Sequence, residues 1–125
     1  MFRLVPALAF VASSLACSPV EKVCTDLFAF GLSVTVTDEV DDTNICDALV
    51  TISDGTYQEE LTVQGQGADC VYIGAGERAG TYRIEASKPG YDTLVTDDVL
   101  VGEDECHVIG EQIAVELRVR TPRRG

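Results

Sequence analysis

Five cysteines, one histidine and two acidic runs are the side chains of this 125-residue chain whose types and spacing could support chemistry. The histidine, His107, directly follows Cys106. Adjacent residues of a strand point to opposite faces, so these two do not make a nucleophile and its base. A zinc site needs three or four ligands, more than one histidine and scattered cysteines supply. His107 therefore reads as a strand-surface residue. Asp38, Glu39, Asp41 and Asp42, with Asn44, form the first acidic run. Clustered carboxylates suit calcium, but the run lacks the D-x-D-x-D-G spacing and contains no glycine. These four are candidate calcium ligands; the plainer reading is a solvated acidic loop, and no firm metal site is expected. Glu103-Asp104-Glu105 is the second acidic run. Gly74-Ala75-Gly76-Glu77-Arg78-Ala79-Gly80 contains G-x-G, yet a strand follows it rather than a helix, so it reads as a turn. No acid–base or nucleophile set is visible, and the chain reads as a non-enzyme without a cofactor.

The balance of charge narrows the partners. Net charge is −12, and four of the nine cations lie at Arg118, Arg120, Arg123 and Arg124. Between Cys17 and Leu117 only Lys22, Arg78, Arg83 and Lys88 face all 21 acidic residues, a net −17 over that stretch. Such a surface repels phosphate backbones, which excludes nucleic acid as a partner class. With 46% apolar and 24% charged residues the composition is globular. Tryptophan is absent, so the core must rest on Val, Ile, Leu and Ala, a mixture that favours strands. Carbohydrate binding would want exposed aromatic platforms, and Tyr57, Tyr72, Tyr82 and Tyr91 are the four tyrosines available.

Residues 1–16 read as a secretory signal peptide. Arg3 precedes an apolar run from Leu4 to Val11, and Ala12, Ser13, Ser14, Leu15 and Ala16 form a small-residue exit. The run is far shorter than the roughly 20 residues of a permanent membrane span. Ser14-Leu15-Ala16-Cys17 resembles the bacterial lipobox, which implies a Cys17 that is diacylated and becomes the mature N-terminus. The leucine stands one step later than in most lipoboxes. Ser14-Leu15-Ala16 also satisfies the small-x-small rule of ordinary signal peptidase, so both readings expose Cys17. Parity favours the lipid: an odd thiol is awkward in an oxidising compartment, and acylating Cys17 leaves four cysteines for two disulfides. Ser18 resembles the residue after the cysteine in outer-membrane-sorted lipoproteins. The expected address is the outer membrane or cell surface, or the periplasm or medium if Cys17 is not acylated.

Residues 17–26 read as a tether for the lipid anchor, and residues 120–125 as a flexible basic tail. Between them the domain, residues 27–119, alternates apolar and polar side chains in short segments. Leu32, Val34 and Val36 share one face; so do Ala48, Val50 and Ile52; so do Tyr82, Ile84 and Ala86; so do Ile113, Val115, Leu117 and Val119. Further strands are expected over Tyr57–Val63, Cys70–Ile73 and Tyr91–Val101, the last broken near Asp97-Asp98. Asp54-Gly55, Gly65-Gln66-Gly67 and Lys88-Pro89-Gly90 are the turns. Seven short strands without helical spacing describe an all-β sandwich.

Gly80-Thr81-Tyr82-Arg83-Ile84-Glu85-Ala86, followed by Lys88-Pro89-Gly90-Tyr91, resembles the signature of carboxypeptidase regulatory-like domains, also called transthyretin-like or prealbumin-like. The likeness runs from about Phe30 to Leu117, and departs from the family at the Asp38–Asn44 loop and in the cysteines. It implies a seven-stranded Greek-key β-sandwich with an accessory, adhesive or scaffolding role. If the strands of that sandwich alternate up and down, Cys24 and Cys106 precede strands starting at one end, and Cys46 and Cys70 precede strands starting at the other. The expected disulfides are therefore Cys46–Cys70 and Cys24–Cys106. The leading expectation is a cell-envelope lipoprotein, held to a membrane through its lipid, with a structural role or one in binding another envelope protein. The alternative is a secreted calcium- or carbohydrate-binding module.

Overall fold

The computed structural model describes residues 24–121, so the expected signal peptide, Cys17 and most of the tether and basic tail lie outside the described residues. Every regular element is a strand except one 3-10 turn, Gly67–Asp69. The strands are β1 (Phe30–Asp38), β2 (Leu49–Asp54), β3 (Tyr57–Glu60), β4 (Thr62–Gln64), β5 (Val71–Gly76), β6 (Gly80–Ser87), β7 (Leu94–Val101) and β8 (Glu111–Leu117). They form two four-stranded sheets, ordered β4-β5-β1-β8 and β3-β2-β6-β7, packed as a sandwich.

Period-two alternation explains the packing. Leu32, Val34 and Val36 of β1 are completely buried, and Tyr82, Ile84 and Ala86 of β6 meet them from the other sheet. Val50, Ile52, Val115 and Leu117 complete the centre of the core. All pairings are antiparallel except β1 with β8, which run parallel from Leu32 beside Glu111 to Asp38 beside Leu117. The first and last strands thus lie side by side and start at the same end. That end also holds the Asp54-Gly55 turn, the turn between β5 and β6, and the loop from Gly102 to Gly110. Loop 39–48, the 3-10 turn and Lys88-Pro89-Gly90 lie at the opposite end.

Two expectations need correction. The single strand expected over Tyr57–Val63 is two strands, so there are eight rather than seven. β3 pairs with β2 in one sheet, and β4 pairs with β5 in the other. The crossing occurs at Leu61, whose side chain is buried and whose N–H donates to the Val50 carbonyl. The second correction concerns Gly74-Ala75-Gly76, which is the end of β5 rather than a turn. A Cβ on Gly74 would collide with the Leu61 side chain, and one on Gly76 would collide with the Phe28 ring. Glycine is needed there because other side chains cover the backbone closely.

Candidate functional site

The Gly102–Gly110 loop is built around one carboxylate. Asp104 Oδ1 accepts the N–H groups of Cys106 and His107 at 2.8 and 2.9 Å, and the Asp104 N–H donates to the His107 carbonyl. A Glu103–Val108 bridge closes the loop below. This turn presents Cys106 and His107 together. Cys106 is bonded to Cys24, and the His107 ring docks between Glu77 and Thr25. His107 is thus not a strand-surface residue: it stands in a loop, with its side chain 24% exposed.

Both ring nitrogens of His107 face acceptors. Nδ1 lies 2.8 Å from Glu77 Oε1, and Nε2 lies 2.9 Å from the Thr25 carbonyl oxygen. A carboxylate and a carbonyl can only accept, so the protonated ring is the form that satisfies both, while the Thr25 hydroxyl, 3.3 Å from Nε2, can donate to the neutral ring. The Glu77 hydrogen bond accordingly raises the His107 pKa above its usual 6.5, with the Thr25 carbonyl and Asp104 assisting. Glu77 is held in turn with φ at +50°, and its carboxylate accepts the Ala29 N–H at 2.7 Å, the main reason its pKa is lowered. A raised histidine pKa stabilises the fold fully below the unfolded value and loses that contribution as pH rises through the folded value. Melting temperature scanned from about pH 5 to about pH 9 should therefore show a downward step as pH rises past the ordinary histidine value of about 6.5. The step should vanish in Glu77→Gln; an unchanged step in that variant would contradict the imidazolium assignment.

The four calcium candidates sit at the opposite end and do not converge. Asp38 is buried, accepting Tyr91 Oη at 2.7 Å and the Val40 N–H at 2.8 Å. The Tyr91 hydroxyl is the largest cause of its lowered pKa. Glu39 turns outward to the Arg118 guanidinium, with contacts of 2.9 and 3.3 Å. Asp41 accepts the Thr43 N–H and hydroxyl inside its own loop, and Asp42 occupies a left-handed turn position, φ +58°. Among the described residues no three His, Cys, Asp or Glu side chains are placed to hold a metal ion. Beneath this loop Cys46 is bonded to Cys70, and Tyr72 Oη links the Ile45 carbonyl to the Ala48 N–H.

None of the tyrosines forms an open platform. Tyr72 and Tyr82 are buried, and Tyr91 is tied to Asp38. The Arg78 guanidinium lies 3.8 Å over the Tyr57 ring, 3.0 Å from Tyr82 Oη and 3.1 Å from Asp54 Oδ2. Arg78 thus anchors the β5–β6 turn to the β2–β3 turn.

A shallow recess of about 410 Å³ lies on the outer face of β3, β2 and β6. Because Ile52 and Ile84 point inward, their neighbours point out. Thr51 sits between Glu60 and Glu85, and Ser53 sits between Gln58 and Arg83. Two carboxylates, one guanidinium and three neutral polar groups so form two rows across adjacent strands. This surface can hydrogen-bond an extended polar partner. The alternation of β2 and β6 in the sequence implied these outward residues, and the Asp54-Gly55 turn was the signal for β3 beside β2, but no local pattern implied that β6 would flank β2 on its other side.

The two disulfides are those of an oxidising, extracytoplasmic compartment. No helix among the described residues is long and apolar enough to cross a membrane. Compared with known proteins, the chain matches no family model and no curated sequence.

Proposed function

We propose that this protein is a non-catalytic cell-envelope lipoprotein, a disulfide-stapled sandwich of prealbumin-like Greek-key type held to a membrane by lipid on Cys17. The observation that carries the reading is the cysteine pairing. Four of the five cysteines are consumed by Cys24–Cys106 and Cys46–Cys70, which leaves Cys17 without a partner in the chain. Acylation removes that odd thiol, and the sequence before it resembles a lipobox. In this reading β3 and β4, two of the eight strands, are one strand of the family's seven, bent between the sheets at Leu61. The role is structural or protein-binding, with the Thr51, Ser53, Gln58, Glu60, Arg83 and Glu85 recess as the contact surface for another envelope protein.

Intact-mass analysis of membrane-extracted protein tests the anchor. The mature chain should start at Cys17 and carry the mass of its acyl chains. Cys17→Ser should move essentially all of the protein from the membrane to the soluble fraction. A mature chain that starts at an unmodified Cys17 would overturn the lipid and leave a secreted binding module.

A further inference from the structure

We infer that the end of the sandwich carrying Leu27, Phe28, Phe30 and Ile109 rests against the neutral headgroup surface of the membrane. The inference deepens the proposed function and rests on acylation of Cys17. Three observations converge on this end.

The first is reach. The Cys24–Cys106 disulfide pins the chain to the sandwich at the end where β1 and β8 begin. Seven Cα steps separate Cys17 from Cys24, so a lipid on Cys17 keeps Cys24 within about 25 Å of the bilayer. β1 itself spans about 30 Å, so the opposite end, with Asp38 and Cys46–Cys70, is the end that the tether does not hold at the bilayer. The second is apolar exposure at that end. Leu27 is 75% exposed, Phe28 63%, Ile109 52% and Phe30 40%, and the two phenylalanine rings meet edge to face at 5.1 Å. The Gly110 backbone adjoins the Phe30 carbonyl, which brings the start of β8 beside these rings. Apolar and aromatic groups gain from partial burial at the headgroup boundary, and the lipid already holds them close to it.

The third observation is charge, and it selects the lipid. Glu77, Glu103, Asp104 and Glu105 share this end. Among the described residues the basic groups at this end, His107 and Arg78, are engaged with Glu77 and Asp54, and carboxylates outnumber them. An anionic headgroup would be repelled here, while a zwitterionic one would not.

Because the chain has no tryptophan, single substitutions give clean reporters. The full acylated protein would be reconstituted in zwitterionic vesicles as Leu27→Trp, with Phe28→Trp as a second probe. Val40→Trp, 86% exposed at the opposite end, is the control. Brominated acyl chains should quench Leu27→Trp at least about twofold more than Val40→Trp, and adding anionic lipid should reduce the difference. Equal quenching in protein shown by mass to be acylated would overturn the docking alone. An unmodified Cys17 would overturn both the docking and the anchor. Concentration-dependent burial of the probe in detergent, without lipid quenching, would assign the patch to a second copy of the chain and overturn the membrane contact.

Discussion

Replacing Cys24 and Cys106 together with serine is expected to lower the unfolding free energy by about 4 kcal/mol. The bond joins residues 82 apart, so it closes nearly the whole described chain into one loop. Cross-linking stabilises mainly by removing entropy from the unfolded chain, and the effect grows slowly with loop length. Cys46–Cys70 closes a span of 24 residues, and its double replacement should cost about 3 kcal/mol. Domains of this size are stable by roughly 5–15 kcal/mol, so the first loss alone is a large fraction. Denaturant melts of the two double variants, compared with the parent at one pH, give both numbers. A loss below about 1 kcal/mol for the Cys24/Cys106 variant would mean that the N-terminal pin contributes position rather than stability. That outcome would leave the His107 contacts as the main hold on Thr25.

The second large effect is expected where the chain crosses between sheets. Leu61 is the residue that fills the core at the crossing, and it lies directly over the Gly74 backbone. Leu61→Ala should cost about 3 kcal/mol through lost burial and the cavity left behind. Gly74→Ala should cost about 2 kcal/mol for the opposite reason, since its Cβ would press on Leu61 and on the Glu59 carboxylate. The combination is the informative variant. With Leu61 shortened, the new methyl group has room, so the double variant should be about 1 kcal/mol or more better than the sum of the singles. Strict additivity would show that the two residues do not share the crossing. The coupling can be measured by urea unfolding of the four proteins in parallel.

Both effects arise from the route of the backbone, which also decides how the cysteines meet. β3 and β4 belong to different sheets, yet both run away from the end where β1 starts. The pair therefore counts as one pass along the sandwich. Splitting the expected third strand changes the number of elements without changing which end each later strand starts from. For that reason the structure joins the same two cysteine pairs that up-and-down alternation implied, although the strand count differed by one.

The sequence by itself determined the all-β class and the inward faces. Leu32, Val34, Val36, Tyr82, Ile84 and Ala86 are buried as their spacing required, because period two is a property of any pleated strand. Alternation could not say where a strand ends: Val119 continues the inward set of β8 but is 50% exposed, since the chain has left the sheet to bridge Tyr91. Only the tertiary structure decided the crossing at Leu61, the strand character of Gly74–Gly76 and the His107–Glu77–Thr25 clamp. Each depends on groups distant in sequence (Thr25 and His107 are 82 residues apart), and no local pattern encodes such a meeting. The calcium candidates teach the same lesson in reverse, because neighbours in sequence were sent apart by partners as remote as Tyr91 and Arg118.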